Sequence, residues 1–508
     1  MSLQIPLLLL SAVAGYFAWS LFTRTPKNLP PGPPAEPFIG HARVLPQDRL
    51  GETFHEWAKT YGDVMYLKVF GRHMIVLDSA DAAHELLEKR SQNYSCRPAF
   101  PVVGLMGLDR MLGFLQYGKQ FHKIRRTFQQ YFSRQESFEF TPIQQEEARR
   151  LVRNLMDEPG RLVPNLLRFT TTIITSATYG HRITSDDDEF LKIGARLEDV
   201  IAHAGAVGST TADFFPWLRY FPSWFPGTFY ANHARASKPI IDNVYDYPLK
   251  FVSEKLAKGE APHSFVASQL QELDPNSPTY AQDVDDIKTS GATAYIAGVD
   301  STYSSIMTFI LCMTLFPEEQ RKAREEIDRV IGTERLPEIS DRASLPYLEA
   351  VIQESLRWYP ALHFAIPHRS LEDDVYKGMF IPKGTIVLPN ARGMSLDENI
   401  YKNAEAFRPS RFLPKPEGDA EPYFGSGWGY GRRICPGRFL ADNSLFLAVS
   451  TMLATLEIRK AKDENGVEIE PNPKFRVVFS NQPVPFPCEI VSRGPKAAAV
   501  VHQATVNL

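Results

Sequence analysis

Only four of the 508 residues are cysteine (Cys96, Cys312, Cys435 and Cys488), and their wide spacing argues against a disulfide framework. Such sparing use suits a reducing compartment, in which a free thiolate also survives. An excess of charge of either sign is nearly absent too. A formal net charge of −3 gives no reason to expect a nucleic-acid partner. No internal repeat is found, and the only clear linker lies near the N-terminus. The length allows several domains, but one large domain over residues 37–496 is the simpler reading. A Gly-rich dinucleotide-binding fingerprint is also missing, so the chain carries no nicotinamide or flavin site of that kind.

What is present begins with a nearly uncharged apolar run, Leu3 to Phe22. About 20 such residues, at roughly 1.5 Å each, span a bilayer core. The run is long for a cleaved signal, and no cationic side chain precedes it, which favours a transmembrane anchor over residues 1–23. Arg24 and Lys27 follow, so the positive-inside rule places the bulk of the chain in the cytosol. Residues 24–36 are basic and proline-rich, and Asn28-Leu-Pro-Pro-Gly-Pro-Pro34 predicts a stiff, extended hinge. Short β-like pieces follow at Val64–Phe70 and His73–Leu77. Helical patterns dominate from Ala80 to Trp358, and a second set of short strands falls between Val375 and Val387. The fold class is therefore mainly α with small sheets. Residues 497–508 look too small and featureless to be ordered.

The most informative segment is Trp428-Gly-Tyr-Gly-Arg-Arg-Ile-Cys-Pro-Gly437. Gly429 and Gly431 let the backbone turn tightly ahead of Cys435. Pro436 and Gly437 lead into a largely apolar run from Phe439 to Leu456 at helical spacing. A cysteine between a Gly-rich turn and a helix start has N–H groups directed at its sulfur, which favours the thiolate. A lone thiolate without a neighbouring Cys or His is a poor zinc site but a good axial ligand for haem iron. An ordinary buried cysteine is the plainer alternative, and the surrounding residues weigh against it.

Two other patterns carry chemistry. Glu354-Ser-Leu-Arg357 puts an acid and a base on one helix face, where they can pair. In Ala297-Gly-Val-Asp-Ser-Thr302, a glycine sits mid-helix at a cost of about 1 kcal/mol relative to alanine. Close helix packing would explain it. An acid followed by two hydroxyls suggests instead a helix opened beside a ligand.

Together these segments resemble the signatures of the cytochrome P-450 monooxygenases. The cysteine stretch matches Phe-Gly-x-Gly-x-Arg-x-Cys-x-Gly at every position but the first, where Trp428 replaces Phe. The resemblance implies the cytochrome P-450 fold and haem b, with Cys435 as metal ligand and Trp428 and Gly437 in its loop. It implies that Glu354 and Arg357, with Arg411 of Phe407-Arg-Pro-Ser-Arg411-Phe412, brace that loop. On the central helix, Gly298 would make room for dioxygen, Asp300 would relay protons, and Ser301 would hydrogen-bond the bound oxygen. Ser301 stands where Thr is usual, keeping the hydroxyl without the methyl that stiffens χ1. Thr302 is a substitute. Arg125 in Phe121-His-Lys-Ile-Arg125 falls where the family has Trp-x-x-x-Arg, which makes it, with His368 and Arg433, a partner for the haem propionates. Phe121 cannot supply the indole N–H.

Lys119, Lys123, Arg126, Arg432 and Arg438 are expected to border the cysteine side of the haem, where family members dock NADPH–cytochrome P-450 reductase. The hinge resembles that of microsomal members, which implies the endoplasmic reticulum membrane with the catalytic domain cytosolic. The activity implied is insertion of one oxygen atom from O2 into a hydrophobic small molecule, using electrons from the separate reductase. Alternatives are a haem-thiolate isomerase, dehydratase or peroxygenase, or a haem-dependent sensor or carrier, which do not need Asp300 and Ser301. Candidate pocket segments are Phe100–Phe114, Ala204–Phe215, Tyr295–Gly298, Leu362–Ile366 and Asn481–Phe486, mostly apolar or aromatic. The style of the chain is similar to fungal members of secondary metabolism, which suggests a terpenoid or polyketide.

Overall fold

The computed structural model describes residues 28–46, 48–477 and 480–506. The anchor expected over residues 1–23 lies outside the described residues. The chain divides into two compact units. One contains the residues up to Pro98, Phe364–Met394 and Tyr430–Arg433; the other contains Ala99–His363, Ser395–Gly429 and the chain from Ile434 on. The division follows from strand pairing between segments far apart in sequence, which length and composition do not reveal.

In the first unit, helix α1 (Leu50–Tyr61) precedes a hairpin of β1 (Val64–Val69) and β2 (Arg72–Leu77). Phe70 and Gly71 at its tip both have positive φ, 46° and 83°, as a two-residue turn that matches strand twist requires. Strands β3 (His368–Arg369), β4 (Asp374–Tyr376), β5 (Met379–Ile381) and β6 (Ile386–Pro389) come from the later segment. The main sheet has the order β1-β2-β6-β3, with β6 parallel to β2 and Met74 opposite Ile386. Phe54 of α1 packs with Met65, Leu67 and Val76 of the hairpin and with Leu388. The described part of the proline-rich stretch is held by hydrogen bonds. The Tyr66 N–H donates to the Pro31 carbonyl at 2.8 Å, and an imidazole nitrogen of His41 donates to that of Pro33 at 2.7 Å.

The second unit is built around helices. They are α2 (Lys119–Tyr131), α3 (Thr141–Asp157), α4 (Leu162–Tyr179), α5 (Glu189–Ala202), α6 (Phe229–Ala257), α7 (Tyr280–Leu315), α8 (Pro346–Trp358) and α9 (Arg438–Thr455). The 36-residue α7 packs against α4, α6, α8 and α9. Among the described residues it is the one helix long and apolar enough to cross a membrane, but two-thirds of that window is buried inside the protein, as in a core helix. Phe309, Ile310 and Met313 of α7 share one core with Leu151 and Val152 of α3, Phe169 of α4 and Phe446 of α9. Two antiparallel pairs complete the unit: β7 (Leu456–Lys460) with β10 (Cys488–Ser492), and β8 (Phe475–Val477) with β9 (Asn481–Pro483), the latter lying on α7.

The tail is a correction. The disorder expected from residue 497 is replaced by helix α10 (Pro495–Thr505), which packs on α3 and α9. Pro495 starts it at N1, and Ala497–Ala499 are the strongest helix formers, a signal that small side chains conceal. Val501 and Thr505 are fully buried, and Arg153 donates to the Thr505 carbonyl at 3.2 Å. Truncation after Arg493 should therefore lower stability by at least the burial of Val501, about 1.5–3 kcal/mol. A urea unfolding midpoint equal to that of the full chain would refute this.

Candidate active site

Cys435 sits at the end of the Gly-rich loop, just before α9. Its N–H donates to the Trp428 carbonyl at 2.8 Å, which closes the loop on itself. Gly429 has φ 78°, and Gly431 has φ 51° with its missing Cβ directed at the Leu87 carbonyl. A side chain at Gly431 would be strained and would collide with backbone. Burial raises the Cys435 pKa. The Gly437 N–H, the Arg125 and Arg438 charges and the Arg438 N–H oppose this, all favouring the thiolate. A Cβ at Gly437 would meet nothing within 4 Å, so its side faces open space.

The middle of α7 has the other half of the expected chemistry. Gly291–Ile296 and Thr302–Ser304 are buried, but between them Ala297 is exposed and Gly298 to Ser301 are half-buried. An exposed side in the middle of a core helix leaves room for a ligand. The Ser301 hydroxyl donates to the Ala297 carbonyl at 2.7 Å, so it is held at that exposed turn. Thr302 is buried, rotated about 100° from Ser301, and does not share the exposed side. A Cβ at Gly298 would meet Ile174 of α4 at 2.8 Å, so α7 and α4 approach closely at this glycine.

Asp300 points away from Ser301. Its Oδ2 accepts the Ser480 N–H at 2.7 Å, and its Oδ1 accepts Nε2 of Gln482 at 2.5 Å. Burial raises its pKa, while Ser480, Gln482 and the more distant Arg476 pull it down. Ser480 and Gln482 follow Asp300 by 180 and 182 residues, and no local pattern in the sequence marks them.

Glu354, Arg357 and Arg411 form the expected network, all with fully buried side chains. Glu354 accepts from Arg357 Nε at 2.7 Å, from Arg411 Nε at 3.1 Å and from the Arg408 N–H at 2.7 Å. Arg357 also donates to the carbonyls of Ser395 and Ala404. A fourth member was not foreseen: Glu421 accepts Arg411 Nη1 at 2.6 Å. With it, two guanidinium groups face two carboxylates, so the buried charges balance.

The expected propionate partners fall in both units. In the second, Arg125 on α2 is buried and its Nε has no hydrogen-bond partner, which is costly unless a ligand supplies one. Phe121, one turn earlier, is buried as well. In the first unit, His368 and Arg433 are buried together with Arg97, which sequence reasoning missed. His368 Nδ1 donates to the Tyr94 carbonyl at 2.7 Å, and Arg433 Nε donates to that of Ser95 at 2.7 Å. Arg97 donates to the carbonyls of Ile366 and Pro367. Burial, then Arg97 and Arg433, push the His368 pKa well down. Burial and Arg433 do the same to Arg97. An anion would relieve this crowding of positive charge.

Of the basic residues expected to face a reductase, Lys119, Arg126 and Arg432 are exposed, and Arg438 donates to the Cys435 carbonyl at 2.9 Å. Lys123 is different: Asp283 and Asp286 of α7 neutralise it. The pocket segments are partly joined. The Val102 N–H donates to Asp213, the Leu112 N–H to Thr293 of α7, and the Asn481 N–H to the Ala361 carbonyl. Segment 362–366 is divided between the two units. The 100–114 stretch buries Phe100, Val102, Met106, Leu112 and Phe114, a strongly apolar set.

A mainly helical fold, a cysteine in a loop of N–H donors, and a core helix opened at an acid and a hydroxyl define a haem-thiolate class of protein. The sequence model for cytochrome P-450 matches residues 30–487, and the chain belongs to that family. It is 36% identical to cytochrome P-450 monooxygenase 176 of Postia placenta, over 94% of this chain and 93% of that protein. It is likewise 36% identical to cytochrome P-450 monooxygenase COX2 of Coprinopsis cinerea, over 95% and 92%, and 35% identical to cytochrome P-450 monooxygenase ARMGADRAFT_974139 of Armillaria gallica, over 94% and 95%. The protein is an oxidoreductase of the monooxygenase class. The family implies haem with cysteine-thiolate ligation, and its members generally use redox-partner reductases and hydrophobic substrates. The orphaned Arg125 Nε, the open side of Gly437 and the exposed turn of α7 fit that group.

Proposed function

We propose that this protein inserts one oxygen atom from O2 into a hydrophobic small molecule of secondary metabolism, a terpenoid or polyketide, with electrons from NADPH–cytochrome P-450 reductase at the endoplasmic reticulum membrane. The observation that carries this reading is the pairing of a thiolate-favouring Cys435 loop with an α7 turn that retains both Asp300 and Ser301. Haem bound there would supply oxygen activation, which the protein side chains cannot.

Cys435 would hold the iron, and Arg125 would donate its free Nε–H to a propionate. Within the first unit, Arg97, His368 and Arg433 gather positive charge that would suit a carboxylate. With Nδ1–H committed to the Tyr94 carbonyl, neutral His368 has only a lone pair at Nε2. It would become a second donor by taking up a proton with the arriving carboxylate. Ser301 would hold a proton beside the reacting oxygen, Asp300 would resupply it from solvent, and the apolar 100–114 segment would exclude water and orient the substrate. The retained acid and hydroxyl favour this over an isomerase, a peroxygenase or a haem sensor.

The test is reconstitution of the holoprotein with purified reductase. NADPH-dependent oxygen consumption is expected, with substrate-induced Soret shifts against terpenoid and polyketide panels. Ser301→Ala should raise peroxide released per NADPH oxidised, because the hydroxyl at the open turn is lost. Oxygen consumption that does not depend on reductase would reject the monooxygenase reading. Unchanged coupling would reject the role of Ser301.

A further inference from the structure

Asp300 is the inner end of a chain of polar contacts that reaches the surface within the second unit. Gln482 on β9 gives its amide N–H to Asp300 and accepts Arg476 Nη2 at its oxygen, at 3.0 Å. Arg476 on β8 donates at the same time to Glu198 Oε1 on α5, again at 3.0 Å. The side chains of Arg476 and Glu198 are 49% and 36% exposed, whereas the Asp300 carboxylate is held by Ser480 and Gln482. The Gln482 amide can satisfy both neighbours in only one orientation, nitrogen toward the carboxylate and oxygen toward the guanidinium.

The direction of these donors excludes a simple proton wire. The Gln482 N–H points to the Asp300 carboxylate and Arg476 Nη2 to the Gln482 oxygen and the Glu198 carboxylate, and neither an amide nor a guanidinium releases a proton near neutral pH. What the arrangement can do is transmit charge. A cation polarises the Gln482 amide, and the polarised amide stabilises the carboxylate beyond it. Glu198 works against this by drawing on the same guanidinium.

We propose that Gln482, Arg476 and Glu198 are positioning residues for Asp300: Arg476, through Gln482, clamps Asp300 as the carboxylate, and Glu198 weakens the clamp by competing for Arg476. The proposal rests on the proton-resupply role given to Asp300 above and names its regulation. Burial and the clamp push in opposite directions on Asp300, with Ser480, Gln482 and Arg476 opposing the desolvation. Burial raises the Glu198 pKa, Arg476 pulls it down and Asp300 pushes it up, so the two acids share one cation. The other titratable neighbour is Tyr303 of α7, which burial pushes up to about 12, so it stays neutral and leaves the balance to Arg476 and Glu198. Because Arg476 is half exposed, it can leave Gln482 without disturbing the core. Asp300 would then take up a proton from solvent and pass it on when the clamp re-forms.

The test is a pH titration of the full-length ferric holoprotein by infrared difference spectroscopy, reading the carbonyl stretch of protonated carboxylic acid. Asp300→Asn identifies the Asp300 band. Arg476→Gln should let that band persist to higher pH, because the cation that favours the carboxylate is gone. Glu198→Gln should make it vanish at lower pH, because Arg476 is then left to Gln482. Arg476→Lys, which keeps the charge, should stay near wild type. Opposite displacements support the clamp; an unmoved band in both neutral variants, or displacement in the same direction, overturns it. The same holoproteins separate this from the role of Asp300 itself. If Asp300→Asn leaves the solvent isotope effect on turnover unchanged, the resupply role falls, while the opposite infrared displacements still stand for the clamp.

Discussion

Replacing Cys435 by alanine is expected to abolish the thiolate-type carbon monoxide spectrum and to reduce NADPH-dependent oxygenation to background, while the chain still folds. The backbone bonds that shape the loop, from the Cys435 N–H to the Trp428 carbonyl and from Arg438 to the Cys435 carbonyl, do not involve the sulfur. Fold loss is therefore not the cause of the lost spectrum. Cys312 and Cys488 cannot substitute. Burial pushes Cys488 up to about 11 and Cys312 well up, so both stay as thiols. Only around Cys435 do Gly437 and Arg438 N–H groups, with the Arg125 and Arg438 charges, oppose the burial. Cys488→Ser is the control and should retain the spectrum. An alanine variant at 435 that kept it would sink the assignment of the ligand. Serine at 435 should fail as well, since its hydroxyl does not ionise near neutral pH.

Glu354→Gln is expected to have the second large effect, on folding rather than on chemistry. Glutamine keeps the volume but leaves Arg411 paired with Glu421 and the buried Arg357 with backbone carbonyls in place of a carboxylate. Breaking such a pair by removing one partner costs about 3–5 kcal/mol. That is a large fraction of the roughly 5–15 kcal/mol by which a folded domain exceeds its unfolded state. The measurement is the denaturant midpoint together with the yield of haem-loaded protein, and both should fall. Arg321→Gln breaks an exposed pair with Glu318 and Glu325 and provides the contrast. Surface pairs contribute about 0–1 kcal/mol, so its midpoint should barely move. Equal effects from the two substitutions would show that the buried network does not brace the fold.

The expected site was legible wherever its residues lie close together in sequence. The Cys435 loop, the Ser301 turn and the Glu354–Arg357 pair each depend on a few residues whose spacing sets their geometry, and each appears where that spacing put it. Glu421, Ser480, Gln482 and Arg97 were not legible. Each meets its partner only after intervening segments have packed, and each is a common polar residue with no local pattern around it. Gly298 announces a close approach in mid-helix but not of what, and the Ile174 contact from α4 is one that no local pattern foretells. Lys123 was counted as free charge because the carboxylates that neutralise it lie on a later helix.

The sequence by itself determined the family, the mainly helical class, the cysteine and the order of its supporting motifs, because these follow from local backbone preference and short spacings. Tertiary structure alone decided which charges are balanced, which face of α7 stays open, how the C-terminal tail is ordered and what holds Asp300. Burial and long-range contact set the free energy of a polar group, and neither exists until distant parts of the chain meet.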